Sequence, residues 1–446
     1  MSRVLLIGSD RNFAEACVSR GLDVVAVRNA SVFSNGLLTF PEEVRQVAVP
    51  NQSDLEQVVS GLGHAGLTMG DFDAVYTNFE FAVVMAAGLA QNLGLPGLGT
   101  EVAVRMRDKF LQKQRLAEKG IPVAESRVFH TPPTLADVEA LGFPLVLKPV
   151  AGAGTESTTR VDDATAFQRT VAAFFSAKEA RKVLLVEQFI AGEEFVLDGW
   201  IHNGVIGFSS LGRYERPCLE IAASATSMRM YRCSETTHPG LAERATNLAA
   251  DALTALGMRS GVFHLEFFRL PNGSLVFSEC AARRGGALVE EEIRLARSVS
   301  LAEAAVDLCL GTAPQTAPTA QVLEVGSIHP KLPAGVILDL PNIHRLTQQD
   351  GVDYVRYFTY LGATSSGNFN STDQRSAAML AGAPTLAELD KRLEHVETLF
   401  LDETVLSPNV SPRHMREFQV QTLGRSDLAD RSYTAASAGT SPRRNS

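Results

Sequence analysis

Short apolar runs alternate with helix-like stretches over the first hundred residues of the chain. In chain order, the predicted strands and helices of this part are Val4–Gly8, Asn12–Arg20, Asp23–Val27, Glu43–Val49, Asp54–Leu62, Asp73–Thr77 and Phe79–Leu93. Alternation of this kind predicts a parallel sheet with helices on both faces. The first strand leads into the sequence GSDRN, which lacks the G-x-G-x-x-G spacing of a dinucleotide-binding loop. Residues 1–97 are therefore predicted to form a Rossmann-like domain without that loop.

The turn-rich segment Gly94–Gly99 is the predicted first domain boundary. The helices predicted beyond it are Glu101–Lys119, His238–Leu256, Leu288–Leu310 and Leu386–Phe400. Strand signals lie between these helices, so the fold class is α/β followed by α+β, in several domains. Residues 407–446 are polar and aperiodic, and we predict that this tail is disordered.

Composition excludes several classes of protein. The net charge of −9, from 41 basic and 50 acidic residues, gives no support for a nucleic-acid or anionic-membrane partner. The five cysteines are odd in number and contain no C-x-x-C pair, which argues against a disulfide framework and a zinc site. The longest apolar run, residues 81–90, is half the roughly 20 residues of a membrane span. The N-terminal apolar run is too short for a signal peptide, so we expect a cytoplasmic protein.

A predicted buried strand that ends in Lys148 is followed by a loop of small residues, Gly152-Ala153-Gly154-Thr155-Glu156-Ser157. Small residues let backbone N–H groups surround an anion, and a lysine at the strand end supplies a point charge for phosphate. No G-K-[ST] closes the loop, so the segment is not a Walker motif. A glycine-rich surface turn after an edge strand is the alternative interpretation.

Two glutamates flank a short turn in the next motif. Glu187 ends a predicted strand, and Glu194 lies seven residues further on, just past Gly192. Acidic residues at such a hinge can accept hydrogen bonds from an adenine amino group and from ribose hydroxyls. Two solvated carboxylates at a loop are the alternative interpretation.

The strongest hairpin signal is Pro271-Asn272-Gly273 between the predicted strands Gly261–Leu270 and Ser274–Cys280. Each strand is apolar but carries one carboxylate, Glu266 and Glu279, and an unpaired buried charge is costly. Two facing carboxylates repel each other unless a hard divalent cation lies between them. A pair of salt-bridged strand residues is the alternative.

Four residues after Glu279 comes the turn Arg283-Arg284-Gly285-Gly286. A guanidinium beside a metal site can stabilise the negative charge on a phosphoryl group in transfer. An exposed basic turn is the alternative interpretation of Arg283.

Taken in order along the chain, these elements resemble the ATP-grasp superfamily across roughly Gly94–Leu310. The segment GLPGLG…RDKFLQKQRLAEKGIPV, which contains Lys109, and the N-terminal parallel-sheet domain also resemble that superfamily. The resemblance implies an ATP-grasp fold with a Rossmann-like N-terminal domain (1–97) and a small nucleotide-clamping lobe (98–196). A large lobe (197–406) would carry the metal-binding hairpin and a C-terminal subdomain.

The resemblance also implies a role for each motif residue. Two lysines and a loop would bind the phosphates of ATP, and these are Lys109, Lys148, Gly152, Gly154, Thr155 and Ser157. The adenine and ribose would be held by Glu187, Gln188, Ile190 and Glu194. Glu266 and Glu279 would ligate Mg²⁺ or Mn²⁺, and Arg283 would stabilise the transferred phosphate and the later tetrahedral intermediate.

One position departs from the superfamily pattern. Many ATP-grasp enzymes have asparagine two residues after the second metal carboxylate, where this chain has Ala281. The sequence ECAARRGG is similar to the branch of amino-acid ligases that make dipeptides. That branch also has a stretch like F-x-E-x-G, to which Cys218–Ala222 is loosely similar, so Glu220 would bind the amino group of a substrate. Ordinary strand residues would give the same letters.

The activity implied by the resemblance is ATP-dependent ligation of a carboxylate, expected to be an amino acid, to an amine. ATP would phosphorylate the carboxylate, and the amine would displace phosphate from the acyl phosphate to form an amide or dipeptide. The partners would be these small molecules, and a homo-oligomer stays open. The alternatives are a biotin- or purine-type carboxylase that uses carboxyphosphate, and a nucleotide-binding regulatory protein without catalysis.

Overall fold

The computed structural model describes residues 2–31, 40–177, 183–367, 371–372 and 374–407, and the backbone of residues 432–434. The N-terminal part is a parallel sheet with helices on both faces, in strand order β3-β2-β1-β4. Its elements are β1 (Arg3–Ile7), α1 (Arg11–Ser19), β2 (Asp23–Asn29), β3 (Arg45–Val49), α2 (Leu55–His64), β4 (Ala74–Thr77) and α3 (Val83–Asn92). The alternation predicted from the sequence is confirmed.

The helix predicted over Glu101–Lys119 is instead two helices, α4 (Thr100–Arg107) and α5 (Lys109–Ala117). Asp108 separates them: its backbone is extended, and its carboxylate accepts hydrogen bonds from the backbone N–H groups of Phe110 and Leu111. An aspartate at this capping position stabilises a new helix start. The break therefore places Lys109 at the beginning of α5.

A small antiparallel sheet follows, in strand order β5-β8-β6-β7. Its elements are β5 (Ser126–Phe129), α6 (Leu135–Val138), β6 (Leu145–Pro149), β7 (Thr159–Val161), α7 (Ala164–Ser176) and β8 (Leu184–Gln188). Glu187 on β8 lies opposite Val146 on β6. Side chains two residues apart share a face of a strand, so Lys148 and Glu187 project from the same face of this sheet.

A large antiparallel sheet has the strand order β13-β12-β9-β10-β11-β14-β18-β16-β20. Its first elements and their helices are β9 (Glu193–His202), β10 (Val205–Tyr214), α8 (Cys218–Ala222), β11 (Met228–Arg232), α9 (Leu241–Leu256), β12 (Gly261–Arg269), β13 (Leu275–Ala281), α10 (Val289–Arg297) and α11 (Leu301–Cys309). The predicted lobe limit between residues 196 and 197 falls inside β9. The predicted helical stretch Leu288–Leu310 is interrupted at Ser298, whose φ of 56° is left-handed.

The C-terminal part extends this sheet and adds a second, short one. Its elements are β14 (Glu324–His329), β15 (Gly335–Asp339), α12 (Ile343–Thr347), β16 (Val352–Tyr357), β17 (Thr364–Ser365), β18 (Ala377–Ala383), α13 (Leu386–Glu403) and β19 (Val405–Ser407). Strands β14, β18 and β16 extend the large sheet, while β17, β15 and β19 form a short sheet of their own.

Most of the tail predicted to be disordered lies outside the described residues. Ser432–Thr434 are an exception to that prediction, because they form β20 and are antiparallel to β16. Among the helices of the described ranges, none combines the length and the apolar character that a membrane span requires.

Candidate active site

A cavity of about 490 Å³ lies where the small sheet, the large sheet and the N-terminal domain meet. The predicted site residues that line it are Lys109, Lys148, Gly152, Gly154, Thr155, Glu187, Gln188, Ile190, Glu194, Glu266, Glu279 and Arg283. Ser157 and Glu220 are absent from the lining that the described residues form. The fold therefore gathers side chains from residue 109 to residue 283 around one space.

A second cavity, of about 430 Å³, lies between the N-terminal domain and the large sheet. Its lining in the described ranges is mostly apolar and contains no lysine, arginine, aspartate or glutamate. Phosphate chemistry requires charged groups, so the first cavity is the candidate active site.

Buried lysines surround Glu187. Lys148 Nζ lies 2.6 Å from Glu187 Oε1, and Lys113 Nζ lies 3.3 Å from Glu187 Oε2. Burial lowers the pKa of Lys113 to about 8, although Glu187 opposes this effect. Burial acts in the same direction on Lys148, but Glu187 and Glu279 outweigh it and raise the pKa of Lys148. Both lysines are thus held in the cavity by a carboxylate.

The carboxylate of Glu187 is engaged by these lysines, rather than standing ready for an adenine amino group. Burial alone would raise its pKa, but the charges of Lys113 and Lys148 lower it. The backbone N–H of Gln188 donates to the carbonyl of Glu125 at 3.0 Å. The hinge Gln188–Ile190 lines the cavity, and its contact with adenine stays a prediction.

Two cationic side chains hold the small-residue loop by hydrogen bonds to carbonyl groups at its start. Arg107 Nη2 donates to the carbonyl of Ala151 at 2.6 Å, and Lys109 Nζ donates to the carbonyl of Gly152 at 3.2 Å. The break at Asp108 makes this contact possible, since it starts a new helix beside the loop. Lys109 therefore touches the loop and also lies 3.2 Å from Glu279.

The predicted hairpin is confirmed, and its register sets Glu266 directly opposite Glu279 on adjacent strands. Burial raises the pKa of Glu279, but Lys109, Lys148 and Lys113 outweigh it and hold that pKa at about 2. Glu279 is therefore ionised at neutral pH. In the described part of the chain, no group of three or more His, Cys, Asp or Glu side chains is arranged so that it could hold a metal ion. The facing pair would thus supply two hard oxygen donors and leave the other positions of a Mg²⁺ ion to ATP and water.

A buried network of charged groups supports the hairpin from behind. His264 Nδ1 donates to Asp198 Oδ1 at 2.7 Å, and its Nε2 donates to Glu266 Oε1 at 3.2 Å. Burial would lower the pKa of His264, but the two carboxylates raise it to about 10. Arg232 joins Asp198 to Glu292, at 3.0 and 2.8 Å. Asp198 therefore holds the imidazolium of His264 in place, and this imidazolium orients the carboxylate of Glu266.

Glu194 is buried, and its Oε2 accepts a hydrogen bond from the backbone N–H of Cys218 at 2.7 Å. Burial, reinforced by the neighbouring charge of Glu266, raises the pKa of Glu194 to about 8. The carboxyl is therefore protonated at neutral pH in the absence of ligands. A contact with ribose stays a prediction.

We expect Glu194 to make the ligand-free protein less stable as pH rises. A carboxyl whose pKa is raised in the fold binds more protons there than in the unfolded chain, so its stabilisation is present at low pH. This stabilisation is lost between about pH 4.5 and pH 8. Glu194→Gln mimics the protonated form. Its Tm should match the wild type at pH 5 and exceed it by several degrees at pH 8.5, in thermal melts without nucleotide. An equal Tm difference at both pH values would contradict the assignment.

Arg283 is held by the N-terminal domain. Glu80, which follows β4, forms ion pairs with both Arg283 and Arg107. Burial would raise the pKa of Glu80, but the two guanidinium groups lower it. Glu80 therefore fixes the guanidinium of Arg283 at the edge of the cavity.

Arg284 makes a second connection to the N-terminal domain. Its Nη2 donates to Asp10 Oδ1 at 2.6 Å, and its Nη1 donates to Glu290 at 3.1 Å. The backbone N–H of Arg284 also donates to Asn78 Oδ1 at 2.9 Å. Asp10 and Asn78 follow β1 and β4, at the carboxyl edge of the parallel sheet. The carboxyl edge of the parallel sheet, where a dinucleotide could bind, therefore contacts the turn Arg283-Arg284-Gly285-Gly286 instead.

Glu220 does not reach the cavity. It lies on the five-residue helix α8, where Cys218 is buried and Glu220 is exposed. Pro217, Cys218 and Leu219 line the cavity instead. The likeness to F-x-E-x-G was loose, and the helical backbone directs the glutamate to solvent.

Several residues of the site were missed from the sequence: Asp10, Asn78, Glu80, Arg107, Lys113, Asp198 and His264. Lys113 had a signal, because it lies one helical turn after Lys109 on α5. His264 also had one, since it is a polar residue two positions before Glu266 in an apolar strand. Glu80 and Asp10 had none, because Arg283 and Arg284, which they hold at the site, lie more than 200 residues away in sequence.

Residues 141–292 match the family model described as the ATP-grasp domain. The chain carries an ATP-grasp domain. This ATP-grasp domain begins just before β6 and ends within α10, so it contains Lys148, Glu187, Glu266, Glu279 and Arg283. Lys109, and the N-terminal residues that hold Arg283, lie outside it.

Two curated relatives are ligases by name. The L-arginine-specific L-amino acid ligase of Bacillus subtilis is 27% identical over 249 residues, which cover 54% of this chain and 59% of that protein. The alanine–anticapsin ligase of Bacillus subtilis is 24% identical over 284 residues, which cover 59% of this chain and 58% of that protein. The matched stretch thus spans less than two thirds of the length of these relatives.

A solved structure with a similar fold is the L-amino acid ligase from Bacillus licheniformis. The TM-score is 0.73 at 22% identity, over 92% of this chain and 99% of that chain. This likeness shows that the two proteins share a fold over 92% of this chain, well beyond residues 141–292.

Proposed function

We propose that this chain is an ATP-dependent ligase that joins the carboxylate of an amino acid to an amine through an acyl phosphate. The products are an amide or dipeptide, ADP and phosphate. The observation that carries the proposal is the single cavity that gathers three lysines, two facing carboxylates and Arg283. The ligase names of the two curated relatives support it.

A carboxylate has no leaving group that an amine can displace, so it must first be activated. Lys109, which contacts Gly152, and Lys148, which precedes the loop Gly152–Thr155 on β6, hold the phosphates of ATP. Gln188, Ile190 and Glu194 bind the nucleoside. The acyl phosphate is easily hydrolysed, so the loop also has to exclude water while the amine attacks.

Glu266 and Glu279 would hold Mg²⁺ or Mn²⁺, which neutralises phosphate charge when bound. His264 keeps the carboxylate of Glu266 aimed at Glu279. Arg283 meets the charge that develops on the transferred phosphate and on the tetrahedral intermediate. Glu80, which also lines the cavity, keeps Arg283 in place through their ion pair.

Glu266→Gln and Glu279→Gln should each raise the Mg²⁺ concentration needed for half-maximal activity. We expect the larger effect for Glu279, whose carboxylate is ionised and lies 3.2 Å from Lys109. Loss of one carboxylate ligand costs on the order of 10- to 100-fold in metal affinity, by analogy with outer-shell partners. The measurement is a Mg²⁺ titration of phosphate release, with Glu193→Gln, an exposed glutamate of β9, as the control. Unchanged titrations in both hairpin variants would exclude them as metal ligands.

The ligase proposal is tested by incubating the protein with ATP, Mg²⁺ and pairs of amino acids. Phosphate release and product mass are read together. A ligase releases phosphate and forms a new amide only when both substrates are present. Turnover that requires bicarbonate would indicate a carboxylase, and the absence of turnover with every pair would indicate a regulatory protein.

ATP use and the free state of the five cysteines support the predicted cytoplasmic location.

A further inference from the structure

The small-residue loop Gly152–Ser157, called the phosphate loop from here on, also contacts the C-terminal subdomain. That subdomain lies far outside the matched residues 141–292. Ser371 Oγ donates to the carbonyl of Gly154 at 2.7 Å. The backbone N–H of Thr372 donates to the same carbonyl and to Thr155 Oγ1, both at 3.1 Å. Residues separated by 217 positions in sequence thus meet over the loop.

These contacts bear on a loop with an unusual backbone. Gly154, Thr155 and Ser157 have φ values of 63°, 59° and 53°. A left-handed φ is strained for a β-branched residue such as Thr155. Such a conformation persists only where neighbouring groups hold it. Ser371 and Thr372 supply these groups from outside the small lobe.

The same segment brings an arginine to the cavity. Thr372 and Arg375 both line it. The guanidinium of Arg375 stacks on the ring of Phe358 at 4.6 Å, and the backbone N–H of the next residue, Ser376, donates to the carbonyl of Pro330 at 2.8 Å. The side chain is therefore held against a rigid part of the large sheet.

We propose that Arg375 binds an oxyanion of the reactants, and that Ser371 and Thr372 couple its placement to closure of the phosphate loop. A planar guanidinium matches the oxygens of a phosphoryl group and of a carboxylate. The oxyanion is either the γ-phosphoryl group of ATP or the carboxylate of an amino-acid substrate. The inference rests on the proposed function for the identity of that anion.

The test uses the full-length chain with Arg375→Met, and Arg356→Met as the matched control. Arg356 stacks on the same ring of Phe358, at 5.1 Å, but is absent from the lining that the described residues form. If the anion is the γ-phosphoryl group, Arg375→Met should weaken binding of the β,γ-imido analogue of ATP by about 10- to 100-fold and leave ADP within about twofold. Calorimetry with Mg²⁺ present measures both affinities and needs no turnover.

If the anion is the carboxylate of the amino acid that supplies the amine, which does not itself react, the wild type should favour that amino acid over its amide. Arg375→Met should remove most of that preference, read from kcat/KM for the two compounds. Equal behaviour of Arg375→Met and Arg356→Met in both arms would overturn the inference. Should no amino-acid pair be ligated at all, the proposed function fails, and the nucleotide arm alone decides the role of Arg375.

The coupling to loop closure has its own variant. Ser371→Ala removes one hydrogen bond to the loop, while the control Ser365→Ala removes a similar bond, 2.7 Å long, from a serine hydroxyl to the carbonyl of Leu332. A looser loop admits water to the acyl phosphate, so phosphate released per amide formed should rise about two- to fivefold in Ser371→Ala alone. An unchanged ratio would overturn the coupling.

Discussion

Replacing Arg283 with alanine is expected to lower kcat by about 10²–10³ and to leave ATP affinity nearly unchanged. In the proposed mechanism the guanidinium meets charge that develops mainly in the transition state, so its removal affects turnover more than binding. Lys109 and Lys148, the proposed phosphate-binding lysines, remain in this variant. Steady-state phosphate release gives kcat, and calorimetry with the imido analogue gives the affinity.

Glu80→Gln provides a second measurement of the same site. It keeps the volume of the side chain but removes the charge that orients Arg283 and Arg107. We expect a smaller loss of kcat than in Arg283→Ala, and any additional loss in the double variant measures the part of the effect that Glu80 exerts through Arg107 rather than through Arg283. Near-normal turnover of Arg283→Ala would remove Arg283 from the mechanism.

Gly285→Ala is expected to destabilise the protein and to impair catalysis together. A Cβ at this position would lie 2.6 Å from Asp198 Oδ1 and 2.9 Å from His264 Nδ1. Neither atom can retreat, because both belong to the buried network behind the hairpin. Overpacking of this kind costs about 1–3 kcal/mol, and displacing Arg283 by on the order of 1 Å would lower kcat by about 10²-fold. Thermal melts and kcat of the purified variant measure the two effects.

The neighbouring glycine is the control. A Cβ on Gly286 would meet no heavy atom within 4 Å, so Gly286→Ala changes the same turn without the collision. Its Tm and kcat should stay close to those of the wild type. If the two alanine variants behaved alike, the effect would come from the loss of glycine in the turn rather than from the His264–Asp198 pair.

The hairpin and the parallel sheet could be predicted because their signals are local. The Asn-Gly turn predicts that the two strands pair, while a β-bulge between the turn and the glutamates shifts the register by one residue and sets Glu266 opposite Glu279. Alternating apolar runs and helices define the sheet order within narrow limits. The helix break at Asp108 had a local signal too, since aspartate is a favoured capping residue, but the long charged pattern masked it.

The supports of the site could not be predicted, because they are contacts between domains. Nothing near Glu80 in sequence indicates that it holds Arg283, and nothing near Gly154 indicates Ser371. Glu220 shows the opposite error. The glutamate of the motif-like stretch was identified, but the backbone of Cys218–Ala222 is helical and directs the side chain of Glu220 away from the cavity.

The ion pairs that Glu80 and Asp10 form with Arg283 and Arg284 make the N-terminal domain, residues 1–97, part of the site. Asp10 and Glu80 supply carboxylates that the ATP-grasp domain itself does not contain, and each holds one arginine of the turn. A fragment cut at the apparent boundary near Gly97 would retain Lys109, Lys148, Glu266, Glu279 and Arg283. It would nevertheless present Arg283 without Glu80, and Arg284 with Glu290 but without Asp10. The smallest unit able to perform the proposed chemistry is therefore larger than the residues that match the family model.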